Sequence, residues 1–129
     1  VFYHDPCHLR FGHPHGQAAY PPITSQPREL LRTTIGVPPI ELPQGPQCCG
    51  QGGLFHLSHS GLSEEICDSL VTNFLKLKTD FTVTTCSGCL LQWQTALKKT
   101  ESPGQCCHLA ELIVRFISRP HATKKKLPL

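Results

Sequence analysis

The sequence predicts an α/β domain of three layers, with helices on both faces of a small, mostly parallel sheet. Two observations indicate this fold. Short segments of β-forming residues alternate with segments of helical periodicity, and Gly- and Pro-rich stretches separate them. Strands are predicted over residues 1–4, 40–42 and 81–85. In such sheets, ligands bind at the carboxyl ends of the strands.

The predicted helices follow from apolar spacing and from signals at their ends. The first covers residues 28–35, with Pro27 in its first turn and Gly36 just past its end. The strongest begins at Ser63 as its N-cap and reaches Leu77, because apolar side chains recur along it at helical spacing. Two more amphipathic segments are predicted helices, 90–99 and 109–118.

Length and charge limit the classes of function. The 129 residues suffice for one domain, predicted over 1–119 and followed by a basic tail over 120–129. The lysine run 124–126 accounts for the whole net charge of +3, so a nucleic-acid surface is not expected on the domain. No apolar run approaches the roughly 18 residues of a membrane span, and no signal-peptide pattern is present. The chain lacks methionine and opens on Val1, which predicts a piece of a longer protein.

Cysteine is the most informative residue type in this chain. Its 8 cysteines among 129 residues are about 6%, several times ordinary usage but below the roughly 8–10% of disulfide scaffolds. A domain of this length does not depend on disulfides for stability. The cysteines are therefore predicted to be thiols that serve metal or redox chemistry in a reducing, cytoplasmic compartment.

Cys86 and Cys89 form a Cys-x-x-Cys motif directly after the predicted strand 81–85. This spacing lets two thiolates of one turn hold one metal centre. A thiol–disulfide redox pair and a coincidental spacing are the alternatives at this point.

Cys48 and Cys49 are adjacent and precede Gly50, Gly52 and Gly53. Adjacent side chains diverge along an extended chain, so both can face one centre only where the backbone bends sharply. Glycine permits such a bend, and it lets backbone N–H groups approach sulfur atoms, as they do at iron–sulfur clusters. A strained vicinal disulfide is the alternative.

The cysteines of these motifs follow successive predicted strands. Cys7 comes after the first strand, Cys48 and Cys49 after the second, and Cys86 ends the third. Because ligands of parallel sheets collect at the carboxyl ends of the strands, these cysteines and Cys89 are expected at a single rim.

The combined pattern resembles a known family. Its parts are His-Asp-Pro-Cys-His-Leu at 4–9, Cys-Cys-Gly-Gln-Gly-Gly at 48–53, Ser63, Thr-Val-Thr-Thr followed by Cys-Ser-Gly-Cys at 82–89, and His-Leu-Ala-Glu-Leu at 108–112. They are similar to the cysteine-rich CCG domain that occurs in heterodisulfide reductase, in its B subunit, and in the iron–sulfur subunits of glycolate oxidase and lactate dehydrogenases. The 40 residues between Cys7 and Cys48 stand at the long end of the family pattern.

The resemblance implies a set of cluster ligands, which are Cys7, Cys48, Cys49, Cys86 and Cys89. They are expected to bind an iron–sulfur cluster, either [4Fe–4S] or a non-cubane form, although some family copies hold zinc. Family members often carry two CCG copies and a ferredoxin-like segment. The basic tail that follows directly indicates that this is the C-terminal copy.

The histidines near the motifs are expected to support the site and not to be its main ligands. His4 and His8 flank Cys7, and they are expected to hydrogen-bond the ligands or to serve the fold, with direct ligation as an alternative. His56 and His59 follow the glycine loop, where they are expected to be exposed, with replacement of a thiolate as the alternative.

The cysteines outside the motif are predicted to be structural. Cys67 lies on the apolar face of its helix and is expected to be an ordinary buried thiol. Cys106 and Cys107 are expected in a short core strand, with spare ligation as the alternative. Trp93 is expected in the core.

Two functional hypotheses of different classes follow. In the first, the domain belongs to a multi-subunit oxidoreductase of the glycolate or lactate oxidase type or of the heterodisulfide reductase type. It is expected to pass electrons between a flavoprotein and an acceptor. The resemblance to the family implies that the substrate of the flavoprotein is a small 2-hydroxy acid. Its partners are that flavoprotein and other iron–sulfur subunits or domains of a cytoplasmic complex, held at the inner face of the membrane through those partners. In the second, zinc stabilises a structural or protein-interaction module without electron transfer, but five thiolates exceed the four that such a site needs.

Overall fold

Three strands and six helices make up the part of the chain that the structure describes. The structure is a computed structural model, and it describes residues 1–12, 20–36, 38–79, 81–100 and 104–118. The strands are β1 (Phe2–His4), β2 (Phe81–Thr84) and β3 (Gln105–His108). The helices are α1 (Cys7–Arg10), α2 (Ser25–Ile35), α3 (Phe55–Ser58), α4 (Ser60–Leu75), α5 (Ser87–Lys99) and α6 (Leu109–Ile117).

The three strands form one parallel sheet in the order β1-β2-β3. His4, Thr84 and His108 are register partners across it, and each is the last residue of its strand. The carboxyl ends of all three strands therefore meet at one edge. The predicted α/β class with a parallel sheet is confirmed.

Residues 40–42 do not form the predicted strand. Ile40 makes an isolated parallel bridge to Phe2 and donates its N–H to the Val1 carbonyl at 2.8 Å, and no ladder extends from that point. Pro39 and Pro43 enclose this segment, and neither has an N–H to donate, so the pairing cannot continue.

The sheet separates two apolar clusters and gives the domain its three layers. On one face Phe2 packs with Phe74 of α4 and Trp93 of α5, and the ring centroids of Phe74 and Trp93 lie 5.2 Å apart. On the other face Tyr3 and Val83 pack against α2 and α6. Successive residues of a strand point to opposite faces, so a strand of three residues serves both clusters. The predicted core position of Trp93 is confirmed.

Helices α2 and α4 both begin earlier than the sequence predicts. Helix α2 begins at Ser25, although it ends before Gly36, whose φ of 79° forms the predicted left-handed cap. Helix α4 begins at Ser60, and Ser63 lies buried within it instead of capping it. The prediction for Ser63 is wrong because its hydroxyl is taken by a tertiary partner, the Gly50 carbonyl, at 2.8 Å.

The remaining predictions about the fold have mixed outcomes. Helix α5 begins at Ser87, three residues before the predicted start, so it includes Cys89. Cys106 and Cys107 lie in β3, which confirms a short strand there. The predicted basic tail lies outside the described residues. Within the described residues, no helix has the length and hydropathy of a membrane span.

Candidate metal centre

Two strand-to-helix connections bring cysteines to the same edge of the sheet. β1 ends at His4, and Cys7 begins α1 three residues later. Next to it, β2 ends at Thr84 and Cys86 is the N-cap residue of α5. The Cys86 sulfur accepts a hydrogen bond from the Cys89 N–H at 3.5 Å, so the Cys-x-x-Cys motif forms the first turn of that helix.

The third group of ligands lies on the loop that leads into α3. Gly50 has a φ of 81°, and a Cβ at this position would lie 2.4 Å from the Ser63 carbonyl oxygen. No other residue fits there without moving backbone. The sharp bend turns the Gly50 N–H onto the sulfur of Cys48 at 3.3 Å, as expected of a loop that surrounds thiolates. Gly52 and Gly53 also have positive φ values, of 47° and 59°.

Cys49 and Cys89 meet at the centre of this arrangement. Their sulfur atoms are 3.3 Å apart, although the residues come from different segments of the chain. One ring nitrogen of His4 joins them, and the three ligand atoms lie within 4.8 Å of one another, all on buried residues. Two thiolates on one tetrahedral ion, each at about 2.3 Å, are separated by about 3.8 Å. Cys49 and Cys89 are therefore placed to bind the same metal atom.

The other three motif cysteines surround this pair toward solvent. Cys7 and Cys86 are half-buried, and Cys48 is exposed. Burial, and then the adjacent Cys48 and Cys49 thiols, raise the pKa of Cys7 to about 11. The thiols of Cys86 and Cys49 both lie close enough to Cys89 to raise its pKa. The structure thus places Cys7 near Cys48 and Cys49, and Cys86 near Cys89. That all five cysteines are ligands stays a prediction.

The close contact between Cys49 and Cys89 shifts the pKa values of the two thiols in opposite directions. The hydrogen bond with Cys89 lowers the pKa of Cys49, and the adjacent His4 ring and the Gln51 backbone N–H lower it further, against the effect of burial. That bond, with burial next, raises the pKa of Cys89.

The polar atoms next to this pair fit a bound group. Among the described residues, four buried side-chain atoms lack a hydrogen-bond partner: His4 Nε2, Thr82 Oγ1, Thr84 Oγ1 and Trp93 Nε1. Strand alternation and packing place these side chains on the face of the sheet that α4 and α5 cover, which is also the face of Cys49 and Cys89. Buried polar groups are nearly always paired, so the unpaired nitrogen of His4 beside these two thiols marks a position for a ligand. Thiolates, glycine N–H groups and an imidazole are the donor set of a zinc or iron–sulfur site.

Within the described part of the chain, the other histidines do not join this group. His8 is exposed, and its backbone carbonyl accepts a hydrogen bond from the Tyr20 hydroxyl at 3.1 Å. His56 contacts the Gly53 carbonyl through Nδ1 at 2.7 Å, and the ring of exposed His59 stacks on Phe55.

The cysteines outside the motif stay in the core. Cys67 is 2% exposed and its thiol points to the Gln92 carbonyl at 3.9 Å, which confirms a buried structural thiol. Burial is the main cause that raises its pKa to about 12. Burial also raises the pKa of Cys107 to about 11.

Two supports of the site were missed in the sequence. Gln92 of α5 donates to the Ser63 hydroxyl at 3.2 Å, and so ties the Cys-x-x-Cys helix to the residue that holds Gly50. Asp5 is buried directly after β1 and accepts two hydrogen bonds from the Arg28 guanidinium, at 2.8 and 2.5 Å. The sequence did contain a sign of the Asp5–Arg28 pair. Asp5 is a carboxylate between His4 and Cys7, in a segment that is expected to be buried, and a buried carboxylate needs a partner.

Known proteins share this pattern over most of the chain. The family model described as a cysteine-rich CCG domain matches residues 1–94, which contain all five motif cysteines. Lactate utilization protein A of a Geobacillus strain is 27% identical over 86% of this chain and 43% of its own length. The B subunit of the fumarate reductase (CoM/CoB) of Methanothermobacter marburgensis is 31% identical over 77% of this chain and 19% of its own length. A probable glycolate oxidase iron–sulfur subunit of Bacillus subtilis is 28% identical over 88% of this chain and 24% of its own length.

The matched region ends inside α5, so β3 and α6 lie beyond it. The chain spans less than half the length of these three relatives. The match confirms the family expected from the motifs. The chain belongs to the cysteine-rich CCG domain family.

Proposed function

We propose that this chain is a cluster-binding domain of an oxidoreductase and that Cys7, Cys48, Cys49, Cys86 and Cys89 hold an iron–sulfur cluster. The observation that carries the proposal is the convergence of these thiols from three separate segments, with the Cys49 and Cys89 sulfurs 3.3 Å apart. A thiol pair alone would serve disulfide chemistry, but five thiols at one rim exceed what that needs.

Each part of the site has a separate task in this proposal. The thiolates bind iron, and the Gly50 N–H stabilises the charge on Cys48 by a hydrogen bond. The apolar layer around Phe2, Phe74 and Trp93 excludes water from the buried side of the site. When bound, the cluster supplies one-electron redox chemistry whose potential depends on such hydrogen bonds and on burial.

The relatives support a place within a larger assembly. One of them is named an iron–sulfur subunit of a glycolate oxidase and another a subunit of a fumarate reductase. We infer that the domain, over residues 1–119, passes electrons between a flavoprotein that oxidises a small 2-hydroxy acid and an acceptor. Its partners would be that flavoprotein and other iron–sulfur domains of a cytoplasmic complex. The cluster would be [4Fe–4S], in cubane or non-cubane form.

The decisive experiment is a metal analysis of anaerobically purified protein. We expect iron and acid-labile sulfide in equal amounts, with visible absorbance that dithionite bleaches and air or a mild oxidant restores. Cys49→Ala should lose both iron and absorbance, whereas Cys67→Ala, with an equally buried thiol outside the site, should keep them. Wild-type protein with neither iron nor sulfide would refute the proposal.

A zinc site is the second candidate, and one observation favours it. Within the described residues, His4, Cys49 and Cys89 place three donor atoms around one point, and one more thiolate would complete the four ligands of a single ion. The same metal analysis separates the two candidates. One zinc per chain, without sulfide or visible absorbance, would identify a structural or protein-interaction module.

A further inference from the structure

The position of His4 is not explained by the fold alone. It is the last residue of β1, it is 1% exposed, and its ring meets the edge of Trp93 with centroids 5.6 Å apart. Its Nε2 is buried without a hydrogen-bond partner. An imidazole placed only for packing could be replaced by an aromatic hydrocarbon ring without leaving a polar atom unpaired.

The sulfur atoms of the metal centre lie next to this ring. One ring nitrogen of His4 is within 4.8 Å of the sulfurs of both Cys49 and Cys89. Its register partner, Thr84, also has a buried hydroxyl without a partner on the same face of the sheet. Two polar atoms on the buried side of the site, His4 Nε2 and Thr84 Oγ1, thus make no hydrogen bond among the described residues, whereas the outer side faces solvent at Cys48.

A donor role suits His4 better than a ligand role. The five thiolates already outnumber the four positions of a tetrahedral metal or of a cubane cluster. What a buried thiolate lacks is compensation for its charge, and hydrogen bonds from N–H groups supply it. The other donors at the site are backbone groups: the N–H of Gly50 reaches Cys48, and the N–H of Cys89 reaches Cys86.

We propose that His4 is a positioning residue of the metal centre, whose buried ring N–H donates a hydrogen bond to the cluster-bound thiolate of Cys49. The inference rests on the proposed function. An N–H donor stabilises the more negative, reduced form of a cluster more than the oxidised form, so His4 raises the reduction potential. It also keeps the Cys49 side chain directed toward Cys89.

The test compares variants that separate the effect of the hydrogen-bond donor at position 4 from the effect of its aromatic ring. His4→Gln keeps an N–H at a similar reach, and His4→Phe keeps an aromatic ring against Trp93 without a donor. His59→Phe is the control, because it makes the same replacement at an exposed histidine stacked on Phe55. Each protein is reconstituted anaerobically with iron and sulfide, and its midpoint potential is measured by a redox titration followed by electron paramagnetic resonance.

We expect similar iron content in all four proteins, with a lower potential in His4→Phe than in wild type. The potential of His4→Gln should return toward that of wild type, and His59→Phe should match wild type. Equal potentials in all of them would overturn the donor role and leave the proposed function intact. Wild-type protein that binds no iron and sulfide would overturn both.

A second measurement tests the same hydrogen bond without the His4→Phe variant, in case that variant does not fold. The protein is labelled with ¹⁵N-histidine, and nitrogen coupling to the reduced cluster is measured by pulsed electron paramagnetic resonance. A weak coupling that disappears in His4→Gln supports a hydrogen bond. A strong coupling typical of a metal-bound nitrogen, or no coupling that depends on His4, overturns the inference.

Discussion

Ser63 Oγ donates a 2.8 Å hydrogen bond to the carbonyl oxygen of Gly50, and both residues are buried. The bond joins α4 to the loop that presents Cys48 and Cys49. The Gln92 side chain of α5 donates to the same hydroxyl at 3.2 Å. One serine therefore connects two of the three segments that carry the cysteines, although it is not itself a candidate ligand.

Removal of this hydroxyl should weaken the loop. Ser63→Ala leaves the buried Gly50 carbonyl without its donor, which costs about 1–3 kcal/mol of unfolding free energy. Ser69→Ala, at an exposed position on the same helix, should change stability by less than about 0.5 kcal/mol. Denaturant titration of the metal-free proteins measures both. Equal stabilities would show that the Ser63 bond does not hold the loop.

Gly45 and Gly50 allow the cost of a left-handed backbone conformation to be separated from the cost of a steric clash at Cβ. Both have a φ of 81°, but a Cβ at Gly45 meets nothing within 4 Å, whereas one at Gly50 lies 2.4 Å from the Ser63 carbonyl oxygen. Gly45→Ala should cost the left-handed penalty alone, about 1–2 kcal/mol. Gly50→Ala should cost about 1–3 kcal/mol more, because backbone must move. Similar unfolding free energies for the two variants would contradict the close approach.

The cysteines should respond unequally to replacement. Alanine at Cys48, Cys49 or Cys86 should abolish or convert the cluster spectrum and destabilise the reconstituted domain, because metal-binding free energy adds to folding free energy. Cys67→Ala should keep the spectrum and cost about 1–2 kcal/mol, the order of a small core cavity. The visible spectrum and iron content of each variant, assembled in parallel, give the answer.

Two results of this series would contradict the assignment of the ligands. Equal iron loss in every variant would indicate general unfolding instead of ligation. Loss of iron in Cys67→Ala with Cys49→Ala unaffected would mean that the wrong thiols have been assigned.

The Asp5–Arg28 pair should stabilise the segment between His4 and Cys7. Asp5 is 4% exposed, and its carboxylate accepts two of the hydrogen bonds that the Arg28 guanidinium donates. Asp5→Asn leaves a guanidinium without its buried partner and should cost about 3 kcal/mol. Glu41→Gln removes the exposed partner of the same Arg28 and should cost at most about 1 kcal/mol. Thermal unfolding distinguishes the two, and a larger loss in Glu41→Gln would reverse the expected order.

The parts of the fold that the sequence predicts correctly depend on local signals. β2 consists of β-branched and aromatic residues, and α6 has strong apolar periodicity, so neighbours along the chain are enough to define them. The meeting of the cysteines followed from a general rule of parallel sheets. Their positions after strands could be recognised without knowledge of any contact.

The parts that the sequence does not predict depend on distant partners. Ser63 has the residue type of a helix cap, and only the approach of Gly50 shows why it lies inside α4. Ile40 precedes Glu41 and Leu42 in a pattern suited to a strand, but the bounding prolines permit a single bridge. The unpaired nitrogen of His4 is likewise visible only once Trp93 and the cysteines surround it.

The parallel pairing of β1 with β2 has a consequence for the time at which the protein can acquire a metal. Phe2 pairs with Thr82, and the candidate ligand segments run from Cys7 to Cys89, so the site cannot close until the chain through Cys89 has left the ribosome. Such long-range pairing is slow to form compared with local helices. During synthesis, the first three cysteines are present as accessible thiols without their partners. The proposed cluster can therefore bind only after Cys89 has been synthesised, and a chain that stops before Cys86 presents three of the five thiols, which can bind metal wrongly or be oxidised.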